Sequence, residues 1–388
     1  VLGRPLTKIH QFDFSDSSSS KSSAARVSAC ARLRGAMLWV DKYRPTDLKK
    51  MDYHADLSSR LVELAKDGDL PHLLFYGPSG AGKKTRIAAL LKALYGTGAA
   101  KQRLEYREFK TPTNKLIEVT TVASNYHIEM NPGDAGNNDR FVVQEVIKEI
   151  AQSASLHAKT GRVAYKVILL VEVDRLTRQA QAALRRTMEK CTSSCRLILC
   201  CNNPSKVIDP LRSRCLGIRV GAPTEAEIVS VLHSVADKEG VQLPVPLAAR
   251  IASQSKRNLR RAILSLEACH AQSYPFSPEQ AIDAPDWETY IVSMANDILR
   301  EQSPQRLLAT REKLYELLVK CIPADVIIKT LTRELLKNLD DELKTEVLHW
   351  AAVYEHRIQL GSKEIFHLEA FVAKFMALYK RFIVSMFD

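Results

Sequence analysis

One nine-residue run, Gly77-Pro78-Ser79-Gly80-Ala81-Gly82-Lys83-Lys84-Thr85, constrains this chain more than any other stretch. It fits the pattern G-x-x-x-x-G-K-[S/T] at every position except the last. The glycines let successive backbone N–H groups curl around a polyphosphate, and Lys83 is placed to reach the β- and γ-phosphates. The hydroxyl that would hold Mg²⁺ is replaced by Lys84, with Thr85 one place late. The flanks agree with this reading. His72-Leu73-Leu74-Phe75-Tyr76 is a short apolar run suited to a buried parallel strand. From Thr85 to Leu94 the sequence has helical periodicity and good helix formers. Strand, glycine loop and helix aim a helix N-terminus at an anion. A glycine turn that binds nothing would leave the agreement of loop, lysine and flanks unexplained.

A chain of 388 residues should hold two or three domains, and 46% hydrophobic content builds ordinary cores. No apolar run approaches the ~18–20 residues of a membrane span, so no membrane role is expected. The net charge of +12 suits a polyanionic partner without specifying one. Eight cysteines in a chain this long are not a disulfide scaffold. Cys191, Cys195, Cys200 and Cys201 have no matching Cys/His pair at zinc-like spacing, so buried free thiols are expected. Residues 1–36 carry +4, leaving +8 on the rest, and Ser15 to Ser23 is almost all serine. That segment is expected to be disordered. Met37 is the expected working start, and a transit peptide is the alternative reading of the Ser/Arg-rich stretch.

From Leu38 to about Ala222 strands and helices alternate. Strands are predicted at 72–76, 116–121, 126–130, 166–171, 196–201 and 217–221, and helices at 55–66, 84–95, 139–153 and 177–190. Such alternation implies an α/β fold with a mostly parallel sheet covered on both faces, and ligands beyond the strand C-terminal ends. Three helices are predicted near 224–239, 245–254 and 258–271. Residues 287–386 read as four or five amphipathic helices with loops at Ser303-Pro304 and Ile322-Pro323, without an acid/base or metal constellation. The expected domains are 37–223 for nucleotide binding, 224–286 as a small helical domain and 287–388 as a helical packing or assembly module.

The run Val167-Ile168-Leu169-Leu170-Val171-Glu172-Val173-Asp174 is a buried strand ending in acids. In P-loop ATPases an aspartate at such a tip holds Mg²⁺ and a neighbouring acid orients the attacking water. Here Val171 stands at the metal position and Glu172 at the water-orienting one. Together with Lys84 this removes two anchors for one metal. Mg²⁺ binding is therefore expected to be weak or absent, at roughly 10²–10³ in rate per lost element. Lys84 itself offers an alternative charge against phosphate. After the strand at 196–201, Asn202 is placed either to touch a terminal phosphate or simply to cap a turn. Arg214, in Ser213-Arg214-Cys215, suits a neighbouring subunit's phosphate, where such a finger is worth ~10³–10⁵; without context it is a surface salt-bridge residue. Arg260 opens a predicted helix and faces phosphate in cis.

Three further segments carry a resemblance: Leu38-Trp39-Val40-Asp41-Lys42-Tyr43-Arg44-Pro45, Ala182-Ala183-Leu184-Arg185-Arg186-Thr187-Met188-Glu189, and Phe366-His367-Leu368-Glu369-Ala370-Phe371-Val372-Ala373-Lys374. With Ser213-Arg214-Cys215 and the Lys84 variant, the chain from about Leu38 to Tyr379 resembles the small subunits of eukaryotic replication factor C, the sliding-clamp loader. The resemblance implies an AAA+ module followed by an all-α lid and an all-α collar that joins a five-subunit ring. Its expected partners are four other clamp-loader subunits, a sliding clamp of the proliferating cell nuclear antigen type and the backbone of primer–template DNA. The expected location is the nucleus, in DNA replication and repair. By position, the resemblance puts Val40, Tyr43, Arg44 and Pro45 at the adenine of ATP or ADP. The phosphates meet Gly77, Pro78, Ser79, Gly80, Ala81, Gly82, Lys83, Lys84 and Thr85, with Asn202 and Arg260 as sensors. Arg214 is the finger offered in trans, Arg185 couples neighbouring sites, and Asn138 and Arg140 track DNA phosphates. For the last pair, a capped solvent-facing loop with Asp139 as N-cap is an equal alternative.

Three functions remain open on sequence: a nucleotide-binding subunit that hydrolyses poorly, an active ATPase using Thr85 and Glu172, and a structural ring member whose pocket is empty or holds a trapped diphosphate.

Overall fold

The computed structural model describes residues 37–110, 116–152, 165–191, 194–361 and 363–387. The serine-rich segment 1–36 lies outside the described residues, as does position 153 at the end of one predicted helix. In chain order the elements are α1 (Trp39–Lys42), α2 (Ala55–Asp67), β1 (Leu73–Tyr76), α3 (Lys83–Tyr95), β2 (Arg103–Lys110), β3 (Leu116–Ala123), β4 (His127–Met130), α4 (Asp139–Gln152), β5 (Lys166–Val171), α5 (Arg178–Cys191), β6 (Cys195–Cys201), α6 (Asp209–Arg212) and β7 (Leu216–Arg219). They are followed by α7 (Glu225–Glu239), α8 (Val245–Gln254), α9 (Leu259–Gln272), α10 (Asp286–Arg300), α11 (Pro304–Val319), α12 (Ala324–Leu336), α13 (Asp341–Leu360) and α14 (Glu364–Phe387). The chain divides into two compact units, one ending at Ile282 and the other beginning at Asp283.

In the first unit, seven strands form one sheet in the order β2-β3-β4-β5-β6-β1-β7. From β4 to β7 every pairing is parallel, and β2-β3-β4 is an antiparallel margin. The central strands β1, β5 and β6 are almost wholly buried, which is why they read as continuous apolar runs. Two cores cover the two faces. One holds Leu74, Ile168, Leu170, Leu199 and Val143; the other holds Leu73, Phe75, Leu169, Val171 and Ile87 from α3. Alternate residues of one strand thus serve opposite layers.

Strand β2 is absent from the sequence expectation. Its residues, Arg103 to Lys110, are mostly charged, and of its three apolar residues Leu104 and Tyr106 face solvent. The inward side is carried by Phe109 and by Arg107, which pairs with Glu105 and with Glu149 of α4. An edge strand held by ion pairs carries no apolar alternation for a sequence to reveal.

Helices α7, α8 and α9 enclose a third core built on Ile228, Leu232, Leu247, Ile251 and Leu266. Helix α7 opens with a full capping box between Thr224 and Glu227 and closes on left-handed Gly240. Trp39 and Tyr43, far away in sequence, pack against this core.

Among the described residues, the second unit has five helices around an apolar cluster. On α14, Leu368, Phe371, Val372, Phe375 and Met376 form a buried stripe at three- and four-residue spacing. Each contributes about 1.5–3 kcal/mol of burial. Ser303 caps α11 through the Arg306 N–H, with Pro304 at its first turn. Among the described residues, no helix is long and apolar enough to cross a membrane.

Two buried histidines make the sheet acid-sensitive. His72 Nδ1 accepts from the Leu197 N–H at 3.0 Å, and His127 Nδ1 lies 2.8 Å from Ser124 Oγ. Burial pulls both rings below the usual histidine range. The unfolded chain then takes up protons first as pH falls below about 6.5, so stability is full above that pH and lost below it. Denaturant unfolding between pH 7 and 5 should show this decline, shallower in His72→Asn. An unchanged slope in that variant would remove His72 from the account.

Candidate nucleotide-phosphate site

Beyond the C-terminal ends of the parallel strands lies a cavity of about 680 Å³, within the usual range of small-molecule sites. Its wall includes the predicted Val40, Tyr43, Arg44, Pro45, Ser79, Gly80, Gly82, Lys83, Lys84, Thr85, Glu172, Asn202 and Arg260. Gly77, Pro78 and Ala81 belong to the same loop but act through their carbonyls. Gly77 O and Pro78 O accept from Lys83 Nζ at 2.7 and 2.8 Å, and Ala81 O accepts from Tyr53 Oη at 3.0 Å. Lys83 Nζ also donates to Asn202 Oδ1 at 2.9 Å, joining the tips of β1 and β6. Burial pulls the Lys83 ammonium below its ordinary range. Among the described residues lining the cavity, seven cations (Lys42, Arg44, Lys50, Lys83, Lys84, Lys238 and Arg260) face two carboxylates (Asp52 and Glu172). That excess suits a polyanion.

The loop leaves no room for side chains. Gly80 has φ +77°, and a Cβ there would stand 1.9 Å from Asn258 Oδ1; Gly82 has φ +80°, and its Cβ would meet Tyr53 Oη at 2.3 Å. Asn258 caps α9 by accepting from the Arg261 N–H, so the lid helix bearing Arg260 starts directly against the loop. Beneath the loop, Arg86 is wholly buried. Its guanidinium donates to Ser58 Oγ at 2.8 Å and Tyr53 O at 2.7 Å, and lies 4.9 Å from the Tyr53 ring centre. Burial lowers its pKa, against charge-assisted bonds to neutral acceptors and a cation–π contact. Sequence reading missed Tyr53, Arg86 and Asn258. Arg86 reads as one more solvated cation on a basic helix, and only the asparagine before α9 carried a capping signal.

The segment Trp39–Arg44 straps the lid to the loop. Trp39 N donates to Glu267 Oε2 at 3.1 Å, and Lys42 Nζ to Glu239 Oε1 at 2.8 Å. Lys42 and Lys238 stand over the Tyr43 ring at 5.1 and 5.9 Å. Arg44 reaches the other way, donating from Nε to Thr85 Oγ1 at 3.1 Å. Its guanidinium therefore lies beside Thr85 in the first turn of α3.

Hard cations such as Mg²⁺ need oxygen ligands, and the two positions where the motif places them, 84 and 171, carry none in this chain. Position 84 is a cation whose Nζ lies 2.8 Å from Glu129 Oε1. Position 171 is a buried valine. Glu172 sits in a left-handed backbone conformation, φ 56°, which stores strain at the strand tip. Its carboxylate lies 3.0 Å from Arg175 Nη1 without hydrogen-bond alignment at Oε2. Asp174 Oδ2 accepts from the Asn202 and Asn203 N–H groups, bracing β5 to β6. The buried thiols of Cys200 and Cys201, which line the cavity, are pushed up to about 11 and about 12 by burial, so they stay protonated.

The remaining predicted residues lie away from the cavity wall. Arg214 Nε donates to Glu189 Oε1 at 3.0 Å and Nη1 to Pro210 O at 2.9 Å, while Arg185 Nε is 3.7 Å from the same Glu189 oxygen. Asn138 ends the short turn Pro132–Asn138, and Arg140 is exposed in the first turn of α4. Asp139 between them is buried and accepts from the Arg140 N–H, the Thr177 N–H and the Thr177 hydroxyl. It therefore staples the starts of α4 and α5, more than capping its own helix.

Gly80→Ala should cost about 1–3 kcal/mol, from left-handed strain plus loss of the Asn258 cap. Gly240→Ala, at φ +71° in open space, should cost only the strain. Equal losses in denaturant unfolding would mean that Asn258 does not hold the loop.

The family comparisons agree with one another along the chain. Residues 53–223 match the model described as DNA polymerase III, delta subunit; residues 230–271 match the RCF1/5-like AAA+ ATPase lid domain; residues 287–383 match the replication factor C subunit 3 C-terminal domain. Replication factor C subunit 3 of Mus musculus and that of Homo sapiens are each 58% identical over 346 residues, 89% of this chain and 97% of each protein. The Arabidopsis thaliana protein of the same name is 56% identical over 354 residues, 90% of this chain and 100% of that one. Among solved structures, the Thermotoga maritima RuvB Holliday junction branch migration motor aligns over 76% of this chain and 90% of that one, at 18% identity and a TM-score of 0.49, too loose a match to argue from. On near-full-length identity of this order, the chain belongs to the replication factor C subunit 3 family.

Proposed function

We propose that this chain is a nucleotide-binding, hydrolysis-poor subunit of a sliding-clamp loader. The observation that carries the reading is a phosphate loop with its glycines and Lys83 in place, while the two metal-anchoring positions, 84 in the loop and 171 at the tip of β5, are lysine and valine. A bound ATP or ADP supplies a polyphosphate charge. The residues that answer it are the backbone N–H groups of Gly80 to Thr85 at the start of α3, the buried Lys83 ammonium and Arg44 beside Thr85. Tyr43, Val40 and the lid helices form the apolar end that takes the base, and Arg260 closes the phosphate end from the lid. Proposed boundaries follow these roles: 37–223 for the AAA+ module, 224–286 for the lid and 287–388 for the collar.

In this reading Arg214 acts on a neighbour. Glu189 holds its guanidinium on the protein surface, outside its own cavity, with Arg185 on the same carboxylate. The chain then works within a ring of four other subunits that handles a clamp of the proliferating cell nuclear antigen type on primer–template DNA in the nucleus. Asn138 and Arg140 meet the DNA backbone. What supports these partners is family membership, together with the basic charge of the chain.

The rival reading, hydrolysis through Thr85 and Glu172, is disfavoured at Thr85, whose hydroxyl accepts from the Arg44 guanidinium.

Two outcomes follow. The double variant Lys84→Thr/Val171→Asp should make ATP binding Mg²⁺-dependent, measured by calorimetry with and without the metal; binding that remains indifferent to Mg²⁺ would mean other residues exclude it. In the assembled ring, Arg214→Ala should cut turnover at the site receiving the finger by roughly 10³-fold while the ring still assembles. Unchanged steady-state ATPase would remove the trans role.

A further inference from the structure

Lys84 has the wrong chemistry for a metal ligand, and its ammonium has a specific resting place. Nζ lies 2.8 Å from Glu129 Oε1 on β4, 45 residues away in sequence. Glu129 pairs in register with Leu169 of β5. Strand alternation puts Leu169 and Val171 on one face of the sheet, the face whose core includes Ile87 of α3. The Lys84–Glu129 pair therefore stands on the side of the sheet where Val171 replaces a metal-binding carboxylate. The two side chains are 48% and 25% exposed, so the pair is only partly screened and open to exchange.

We propose that Glu129 is a specificity-determining residue of the phosphate cavity: it holds the Lys84 ammonium, and the terminal phosphates of a nucleotide compete with it for that charge. The inference rests on the nucleotide-binding reading above. A metal site brings its positive charge with the ligand. Here the charge is resident, on a flexible side chain that behaves as a movable point cation. Glu129 neutralises that cation until a phosphate draws it away, so affinity depends on how firmly the carboxylate keeps its partner. An ion pair this exposed is worth a factor of roughly 2–5 in an equilibrium.

The test is the affinity of the full chain for ATP in excess EDTA, by calorimetry. It compares the wild type with Glu129→Gln, Lys84→Met and the double variant, each checked for a native unfolding transition. Glu129→Gln should bind roughly 2–5-fold tighter than wild type, and the double variant should bind more weakly than Glu129→Gln, because the freed Lys84 is what meets the phosphate. Glu129→Ala should act in the same direction and replaces the glutamine variant if that one folds poorly. Unaltered or weaker binding on removal of Glu129, or a double variant as tight as Glu129→Gln, overturns the proposal while leaving nucleotide binding intact. Failure of the wild type and every variant to bind ATP overturns both.

Discussion

The molecule is organised around a loop that must remain backbone. Between β1 and α3, Gly80 and Gly82 occupy left-handed conformations with Asn258 and Tyr53 pressed against their α-carbons. The same contacts that forbid side chains there tie the loop to the rest of its unit. Asn258 brings the start of α9, Tyr53 brings the segment before α2, and Arg86 locks that segment to α3 from below. At Gly80 and Gly82 themselves, only backbone can face an anion. A loop so confined is preorganised, and its shape is set by packing before any phosphate arrives.

Charge compensation is the second constraint. A polyphosphate entering this cavity would normally share its charge with a metal. Here the cations are covalent parts of the protein: Lys83 on the loop carbonyls and Asn202, Arg44 on Thr85, Lys84 on Glu129. Each is held by a neutral oxygen or by one carboxylate, so none requires a metal ligand nearby. The left-handed Glu172 and the brace from Asp174 to Asn202 and Asn203 fix the tips of β5 and β6 beside the cavity. In the proposed reading, the site keeps the groups that meet phosphate, while positions 84 and 171 offer no oxygen to a metal.

Much of this was legible in the sequence, for physical reasons. Parallel strands buried on both faces must be apolar runs, so β1, β5 and β6 declare themselves, and a phosphate loop must spell its glycines. The substitutions at 84 and 171 are visible because the motif fixes what should stand there. Side chains that act through tertiary contact were not legible. Arg86 looks solvated, Glu129 looks like an ordinary strand acid, and Glu189 gives no sign that it will hold both Arg185 and Arg214. Strand β2 escaped because its inward face is made of an ion-paired arginine more than of apolar residues. The resemblance put Arg44 at the adenine, and its hydrogen bond to Thr85 was not legible from that.

The central claim is that resident cations stand in for the metal at this site. Its most direct test is calorimetric titration of the unmodified chain with ATP, once in millimolar Mg²⁺ and once in EDTA. The account predicts dissociation constants that agree within a factor of about 2, since no residue at 84 or 171 binds the ion. A tenfold or greater loss of affinity on removing Mg²⁺, equivalent to about 1.4 kcal/mol, would contradict it.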